Sequence, residues 1–328
     1  MEYTHIPHIE KQAARIGLGT WAIGGWMWGG SSEEQALKTI QKALDEGLTL
    51  IDTAPVYGFG KSEEIVGKAL KKYGKREKVI IATKVGLRWK NSKVYRDLRK
   101  ESILNEVDDS LRRLQVDYID LYQVHWPDSS VPMKDVAETL KKLQDQGKIR
   151  AIGVSNFSVE QMQEFKKTAS LDSLQPPFNL FEREIEPIEL PYCKKSGIVL
   201  LGYGSLCRGL LTGKMKKDAK FEGDDLRKVD PKFQQPHFSQ YLECASRLQE
   251  WAREKHQKPL LALAVRWVLD SGIDVALWGA RKPEQLSGME DVWHWKLDRQ
   301  DFKEIDDILN EYIKEPIGPE FMAPPLNS

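Results

Sequence analysis

The chain has 328 residues, 41% of them hydrophobic, enough for one large α/β domain or two average ones. Lys+Arg and Asp+Glu both number 49, so the formal charge is zero and the basic footprint of a nucleic-acid binder is missing. No apolar run approaches the ~20 residues of a membrane span, and the opening "MEYTHIPHIEKQAARIG" lacks the basic-then-apolar layout of a signal peptide.

Short apolar, β-branched runs alternate with amphipathic stretches along nearly the whole chain. The first strand is expected over "RIGLGTW" (Arg15 to Trp21). The helix "SSEEQALKTIQKALDEG" follows, with Ser32 as N-cap and Gly47 as C-cap. "LTLIDT", from Leu48, is the second strand, and Lys61 to Leu70 its helix. The third and fourth strands are "VIIATKV" from Val79 and "DYIDLYQVH" from Asp117 to His125. "MKDVAETLKKLQDQGK" then forms a helix closed by Gly147. The fifth strand, "RAIGVSN" (Arg150 to Asn156), leads into "SVEQMQEFKK", capped by Ser158. "SLQPPFN" from Ser173, "IVLLGYGS" from Ile198 and "VALWGAR" (Val275 to Arg281) complete eight strands.

Near-continuous hydrophobic strands are those of a parallel sheet covered on both faces. Eight such units in this length predict an α/β fold, a closed (β/α)8 TIM barrel, as a single domain over residues 1–328. Extra helices and a long loop after the seventh strand, from Leu206 to about Phe238, complete the expectation. An open doubly wound sheet is disfavoured, because "GLGTWAIGG" lacks the G-x-G-x-x-G spacing and no helix follows it directly. The scattered cysteines Cys193, Cys207 and Cys244 form no C-x-x-C pair. Reduced thiols, a cytoplasmic location and no metal site are expected.

Barrel chemistry sits where strands end. Asp52 ends the second strand, with Tyr57 in its loop; Lys84 and His125 end the third and fourth. Ser155 and Asn156 end the fifth, and Gln175 lies on the sixth. Singly, such an Asp caps a turn and such a His is a satisfied core residue. Lys84 is harder to dismiss, since lysine is seldom buried without a partner. Four such groups converging on one mouth point to a site.

The stretches "IGLGTW", "IDTAPVYGFGKSEEIVGKAL", "IATKVG", "DYIDLYQVHWPD", "KIRAIGVSNF" and "GLLTGK" together resemble the aldo-keto reductase superfamily, in order and over nearly the whole chain. "QPPFNLFERE" and "GDDLRKVDPKFQ" are most similar to its bacterial general-stress branch, related to potassium-channel β subunits. The resemblance implies a catalytic tetrad of Asp52, Tyr57, Lys84 and His125, and NADPH as hydride donor to a small carbonyl substrate. It further implies that Ser155, Asn156 and Gln175 hold the nicotinamide carboxamide and that Tyr203 stacks on its ring. Gly204, Ser205, Leu206 and Arg208 would line the pyrophosphate. Gly279, Ala280 and Arg281 would close on the adenosine phosphate, with Gln285 nearby. The guanidinium fork of Arg281 suits a 2′-phosphate, favouring NADPH over NADH.

Many relatives read Tyr-Ser-Pro-Leu where this chain has Tyr203, Gly204, Ser205 and Leu206, and carry Asn where Met289 stands. Those departures are expected to reshape the pyrophosphate contact and remove an adenine hydrogen bond. Trp21, Trp26, Trp28 and Trp126 fall beside the expected barrel mouth and would wall an apolar substrate pocket.

The chemistry is coherent without the resemblance. A carbonyl that accepts a hydride needs a general acid, and a free tyrosine holds its proton too tightly near neutrality. One ammonium at about 4 Å supplies about 4 kcal/mol of phenolate stabilisation at an effective dielectric near 20. Lys84 is therefore expected to lower the Tyr57 pKa, Asp52 to keep Lys84 charged, and His125 to orient the carbonyl. Two other readings stay open: a nucleotide-binding regulatory or sensing subunit with little turnover, and an aldolase barrel with Lys84 as Schiff-base nucleophile. A self-contained barrel without net charge is expected to be a monomer. The Pro-rich "EPIGPEFMAPPLNS" is expected to lie over the site or to stay mobile.

Overall fold

The computed structural model describes residues 1–325. A short antiparallel hairpin, β1 (Tyr3–His5) and β2 (Gln12–Ala14), opens the chain. The eight barrel strands include β3 (Ile16–Gly19), β4 (Leu50–Asp52) and β5 (Ile80–Val85). After a second hairpin, β6 (Leu87–Lys90) and β7 (Lys93–Arg96), come β8 (Ile119–Val124), β9 (Ile149–Ser155) and β10 (Ser173–Gln175). β11 (Val199–Gly202) and β12 (Val275–Gly279) complete the set. Every neighbouring pair is parallel, and β12 pairs with β3 to close the ring. The (β/α)8 barrel expected from the strand rhythm is the fold.

A helix follows each barrel strand. In chain order they are α1 (Trp21–Gly24), α2 (Glu33–Asp45), α3 (Lys61–Tyr73), α4 (Lys100–Leu114), α5 (Met133–Asp145), α6 (Val159–Lys166) and α7 (Glu189–Ser196). α8 (His237–His256), α9 (Leu260–Asp270) and α10 (Arg299–Tyr312) follow, α1 and α8 being extra to the eightfold pattern. The predicted caps form. Ser32 Oγ accepts from Gln35 N, and Ser158 and Gln161 make a reciprocal capping box. Gly47 and Gly147 take positive φ just beyond α2 and α5.

The barrel interior is filled by Leu50, Ile80, Ala82, Leu121, Ala151, Val199, Leu201, Val275 and Leu277. Ile6, Ile9 and Ala13 of the opening hairpin join them and plug the N-terminal end. A larger apolar layer lies between strands and helices. Gly153 is required inside: a Cβ there would meet Ser173 Oγ at 2.3 Å and Gln123 Cγ at 2.8 Å.

Three expectations are corrected. The first strand stops at Gly19, and Trp21 opens α1 instead of ending the strand. The sixth stops at Gln175, because Pro176 and Pro177 have no N–H for the ladder. The connection after the seventh strand is not structureless: it carries 3-10 turns at Cys207–Thr212, Leu226–Lys228 and Pro231–Phe233 before α8 begins. Buried ion pairs from Arg208 to Glu182 and Asp230, and from Lys232 to Glu182, tie it down.

Candidate active site

Strand positions two apart share a face. The residue two beyond each barrel-filling side chain therefore points into the mouth: Asp52 after Leu50, Lys84 after Ala82, Gln123 after Leu121, Tyr203 after Leu201. Register brings these together, pairing Asp52 with Ala82 and Lys84 with Gln123. Tyr57 arrives from the β4–α3 loop. Its turn is pressed against α1 at Gly24, where a Cβ would sit 2.4 Å from the Tyr57 carbonyl carbon, so only glycine allows that approach.

Lys84 is 1% exposed and donates three hydrogen bonds: to Asp52 Oδ1 at 2.6 Å, Thr53 O at 3.0 Å and Tyr57 Oη at 3.3 Å. An ammonium has three protons, and here each has an acceptor. That arrangement opposes the Schiff-base reading, which needs a free amine. Burial pulls the Lys84 pKa below its ordinary value, and Asp52 opposes the pull. The other carboxylate oxygen of Asp52 accepts from Gln175 Nε2 at 2.8 Å and Gln123 Nε2 at 3.2 Å. Gln123 is absent from the sequence-level candidates. The spacing of two from Leu121 would have found it.

The Tyr57 phenol moves opposite to expectation. Burial pushes its pKa well above the ordinary value, and the Asp52 charge pushes the same way. Attraction from an ammonium at 3.3 Å is about 5 kcal/mol at an effective dielectric near 20. Asp52 pairs with that ammonium at 2.6 Å, so the buried phenol faces an ion pair and not a bare cation. Tyr57 thus stays protonated across the physiological range. His125, edge-on to Tyr57 with ring centroids 5.8 Å apart, is held well below its ordinary pKa by burial and then by the Lys84 charge. Its imidazole is neutral.

Two cavities meet at Tyr57. The first, about 490 Å3, is walled by Trp21, Trp26 and Trp126, with Val56, Leu87 and Val94, and His125 lines it too. Trp21 stacks on Tyr57 at 5.9 Å. Residues 321–325 of the C-terminal segment cover it, and residues 326–328 of the Pro-rich stretch lie outside the described residues. Ser155 and Asn156 lie on its floor, where Ser155 Oγ donates to Gln175 O at 2.7 Å and Asn156 Oδ1 accepts from Tyr203 Oη at 3.0 Å. Trp28 is not on this wall.

The second cavity, about 270 Å3, shares Trp21, Tyr57, Gln175, Tyr203 and Met322 with the first. It runs past Gly204, Ser205, Leu206 and Arg208 to Gly279, Ala280, Arg281 and Gln285, and Trp28 lines it. Its floor is open at Gly279, where a Cβ would meet nothing within 4 Å. The indole N–H groups of Trp21 and Trp28 are buried without a partner among the described residues. Arg281 Nη1 donates to Trp28 O and Gly30 O, and Gln285 Oε1 caps the Arg281 and Lys282 amides. Burial lowers the Arg281 pKa, and the Arg227 charge adds to the shift. Arg227, a third arginine lining this cavity and not among the sequence candidates, is paired with Asp225 at 2.6 Å.

The structure gives one of the expected residues other partners. Arg208 donates to Glu182 and Asp230 at 2.6 Å each, so its guanidinium already has two carboxylate partners while it lines the cavity. Met289 is buried in the core. Cys207 is fully buried, and burial pushes its thiol up to about 12. Among the described residues no His, Cys, Asp and Glu group could hold a metal ion, and no helix is long and apolar enough to cross a membrane.

Residues 15–310 match the model of the aldo/keto reductase family. The chain is 59% identical over 326 residues to aldo-keto reductase YhdN of Bacillus subtilis (strain 168), covering 99% of this chain and 98% of that protein. It is 40% identical to the NADH-specific methylglyoxal reductase of Escherichia coli (strain K12), over 83% of this chain and 87% of that one. The glycerol dehydrogenase AKR11B4 from Gluconobacter oxydans superposes with a TM-score of 0.88 at 54% identity, covering 98% of this chain and 99% of that chain. A closed eight-stranded barrel, a matched family model and relatives aligned end to end agree: the chain belongs to the aldo/keto reductase family.

Proposed function

We propose that this protein reduces aldehydes and ketones to alcohols with NADPH, with Tyr57 as the general acid. The observation that carries the reading is the Lys84–Tyr57 contact of 3.3 Å at the junction of the two cavities. NADPH, when bound, supplies the hydride, which no side chain can. Tyr57 donates its proton to the carbonyl oxygen, and Lys84 stabilises the phenolate left behind. Neutral His125 donates a hydrogen bond to the same oxygen and aims the carbon at the second cavity. Asp52 keeps Lys84 charged, and Gln123 and Gln175 hold Asp52.

The second cavity fits a nicotinamide dinucleotide. Tyr203 and Gln175 line it beside Tyr57, and Ser155 and Asn156, which line the adjoining first cavity, would join Gln175 in holding the carboxamide. Arg281 feels the Arg227 charge at the far end, only partly offset by the Asp225 carboxylate that pairs with Arg227 at 2.6 Å, and a 2′-phosphate there would relieve the repulsion. This supports NADPH, although the Escherichia coli relative is named NADH-specific. The aromatic and aliphatic walls of the first cavity favour apolar carbonyl compounds. Three buried free thiols fit the reducing cytoplasm.

The test is NADPH oxidation with a panel of small and aromatic aldehydes, with the alcohol product identified. Stoichiometric alcohol formation is expected. Tight NADPH binding with no oxidation by any aldehyde would replace this reading with a nucleotide-sensing role.

A further inference from the structure

The first cavity is assembled from segments far apart in sequence, and one buried side chain joins three of them. Arg96 ends β7 and is 8% exposed. Its Nη1 donates to Pro127 O at 2.7 Å, in the loop after β8, and its Nη2 donates to Pro324 O at 2.8 Å, in the C-terminal segment. Its guanidinium lies 5.3 Å from the centre of the Trp126 ring. Leu87, paired with Arg96 across the hairpin, and Val94, two residues before it on the same face, both line the cavity. Trp126 and Pro324 line it too. Upstream, the C-terminal segment is held by Tyr241 Oη, which accepts from Ile317 N, and by Lys232, which donates to Gly318 O.

We propose that Arg96 is the positioning residue that closes the substrate cavity, clasping the β6–β7 hairpin, the Trp126 loop and the C-terminal segment into one wall and so determining the affinity for bulky apolar carbonyl substrates. The clasp has a chemical logic. Backbone carbonyls cannot be changed by substitution on their own segments, and a planar guanidinium can serve two of them while its face covers an indole. A lysine would have to serve both carbonyls from a single nitrogen, and it has no planar face to lay on the indole. Phe321 and Pro324 line the first cavity alone, whereas Met322 lines both, and a small substrate held at Tyr57 and His125 does not need the first two. A large one does, and an unheld segment must be ordered when such a substrate binds. This inference rests on the carbonyl-reductase reading, and its test separates the two.

The experiment compares wild type, Arg96→Met and Arg96→Lys, with methylglyoxal as small and 2-naphthaldehyde as bulky substrate, alongside limited chymotrypsin digestion followed by mass. Methionine keeps an apolar stem on Trp126, so the fold is expected to survive, and Arg96→Lys gives a milder variant. In Arg96→Met, KM for 2-naphthaldehyde should rise about tenfold while kcat and the methylglyoxal KM stay within about twofold. Arg96→Lys should fall between. Cleavage after Phe321 should accelerate about tenfold in Arg96→Met, with other sites unchanged. A KM change equal for both aldehydes, a fall in kcat shared by both, or an unaltered Phe321 cleavage rate would overturn the proposal. If wild type reduces neither aldehyde, the reductase reading fails, and the cleavage rate alone decides the clasp.

Discussion

Lys84 uses its three protons on Asp52, Thr53 and Tyr57, so three members of the proposed tetrad form a chain of contacts with little slack. The charged and ring-bearing members were legible in the sequence because each is an unusual residue at a strand end or in the loop behind one. Gln123 was not, because an amide inside an apolar run reads as an exception and not as a site. Its role shows only once strand parity and register place it 3.2 Å from Asp52. The expected depression of the Tyr57 pKa failed because the sequence shows the Lys84 charge but not how deeply the phenol is buried, and burial, then the Asp52 charge, raises it. Because His125 is neutral and Tyr57 stays protonated, kcat for carbonyl reduction should be flat from about pH 6 to about pH 9. A steady-state profile checks this, and an inflection near the ordinary histidine pKa would contradict it. At the far end of the second cavity, Arg227→Ala and Arg281→Ala should each weaken NADPH by about tenfold and NADH by less than about twofold. Fluorescence titration of both nucleotides reads the difference.

Among the elements, those with caps and strong periodicity were found where expected, and those made by tertiary contact were not. The β6–β7 hairpin turns on Asn91 and Ser92, both at positive φ, a pair weaker as a signal than Asn-Gly. The connection after β11 looked like a loop because its Gly, Asp, Pro and Lys content is polar. It is ordered by ion pairs in which Lys232 and Glu182 are both fully buried, a pairing invisible without the fold. Both missed elements bear on the cavities. The hairpin supplies Leu87 and Val94 to the substrate side, and the connection brings Arg227 to the other. The α6 cap makes a local prediction. Ser158→Ala removes the acceptor for Gln161 N and should cost about 1 kcal/mol, read from a urea midpoint, with kcat unchanged.

For the whole molecule, the barrel was legible from eight buried strands in rhythm, while the N-terminal plug was not, since three-residue strands carry no periodicity. Buried Glu106 on α4 makes global stability depend on pH. It accepts from Gly86 N at 3.2 Å, and burial pushes its carboxyl from an ordinary 4.5 up to about 8. Between those values the folded chain keeps a proton that the unfolded chain has released. Stability should therefore fall as pH rises through the window, by at most about 1.4 kcal/mol per pH unit, and level off above it. Glu106→Gln should remove that slope in urea titrations at about pH 5, 7 and 9. The barrel as a whole brings an aromatic cavity and a cation-ended cavity together at Tyr57. The most direct measurement of what that tyrosine does is NADPH oxidation by Tyr57→Phe beside wild type on one reactive aldehyde, with the NADPH dissociation constant of each. The kcat is expected to fall at least about 100-fold with nucleotide affinity within about twofold. Wild-type turnover by the phenylalanine variant would mean that the proton comes from elsewhere.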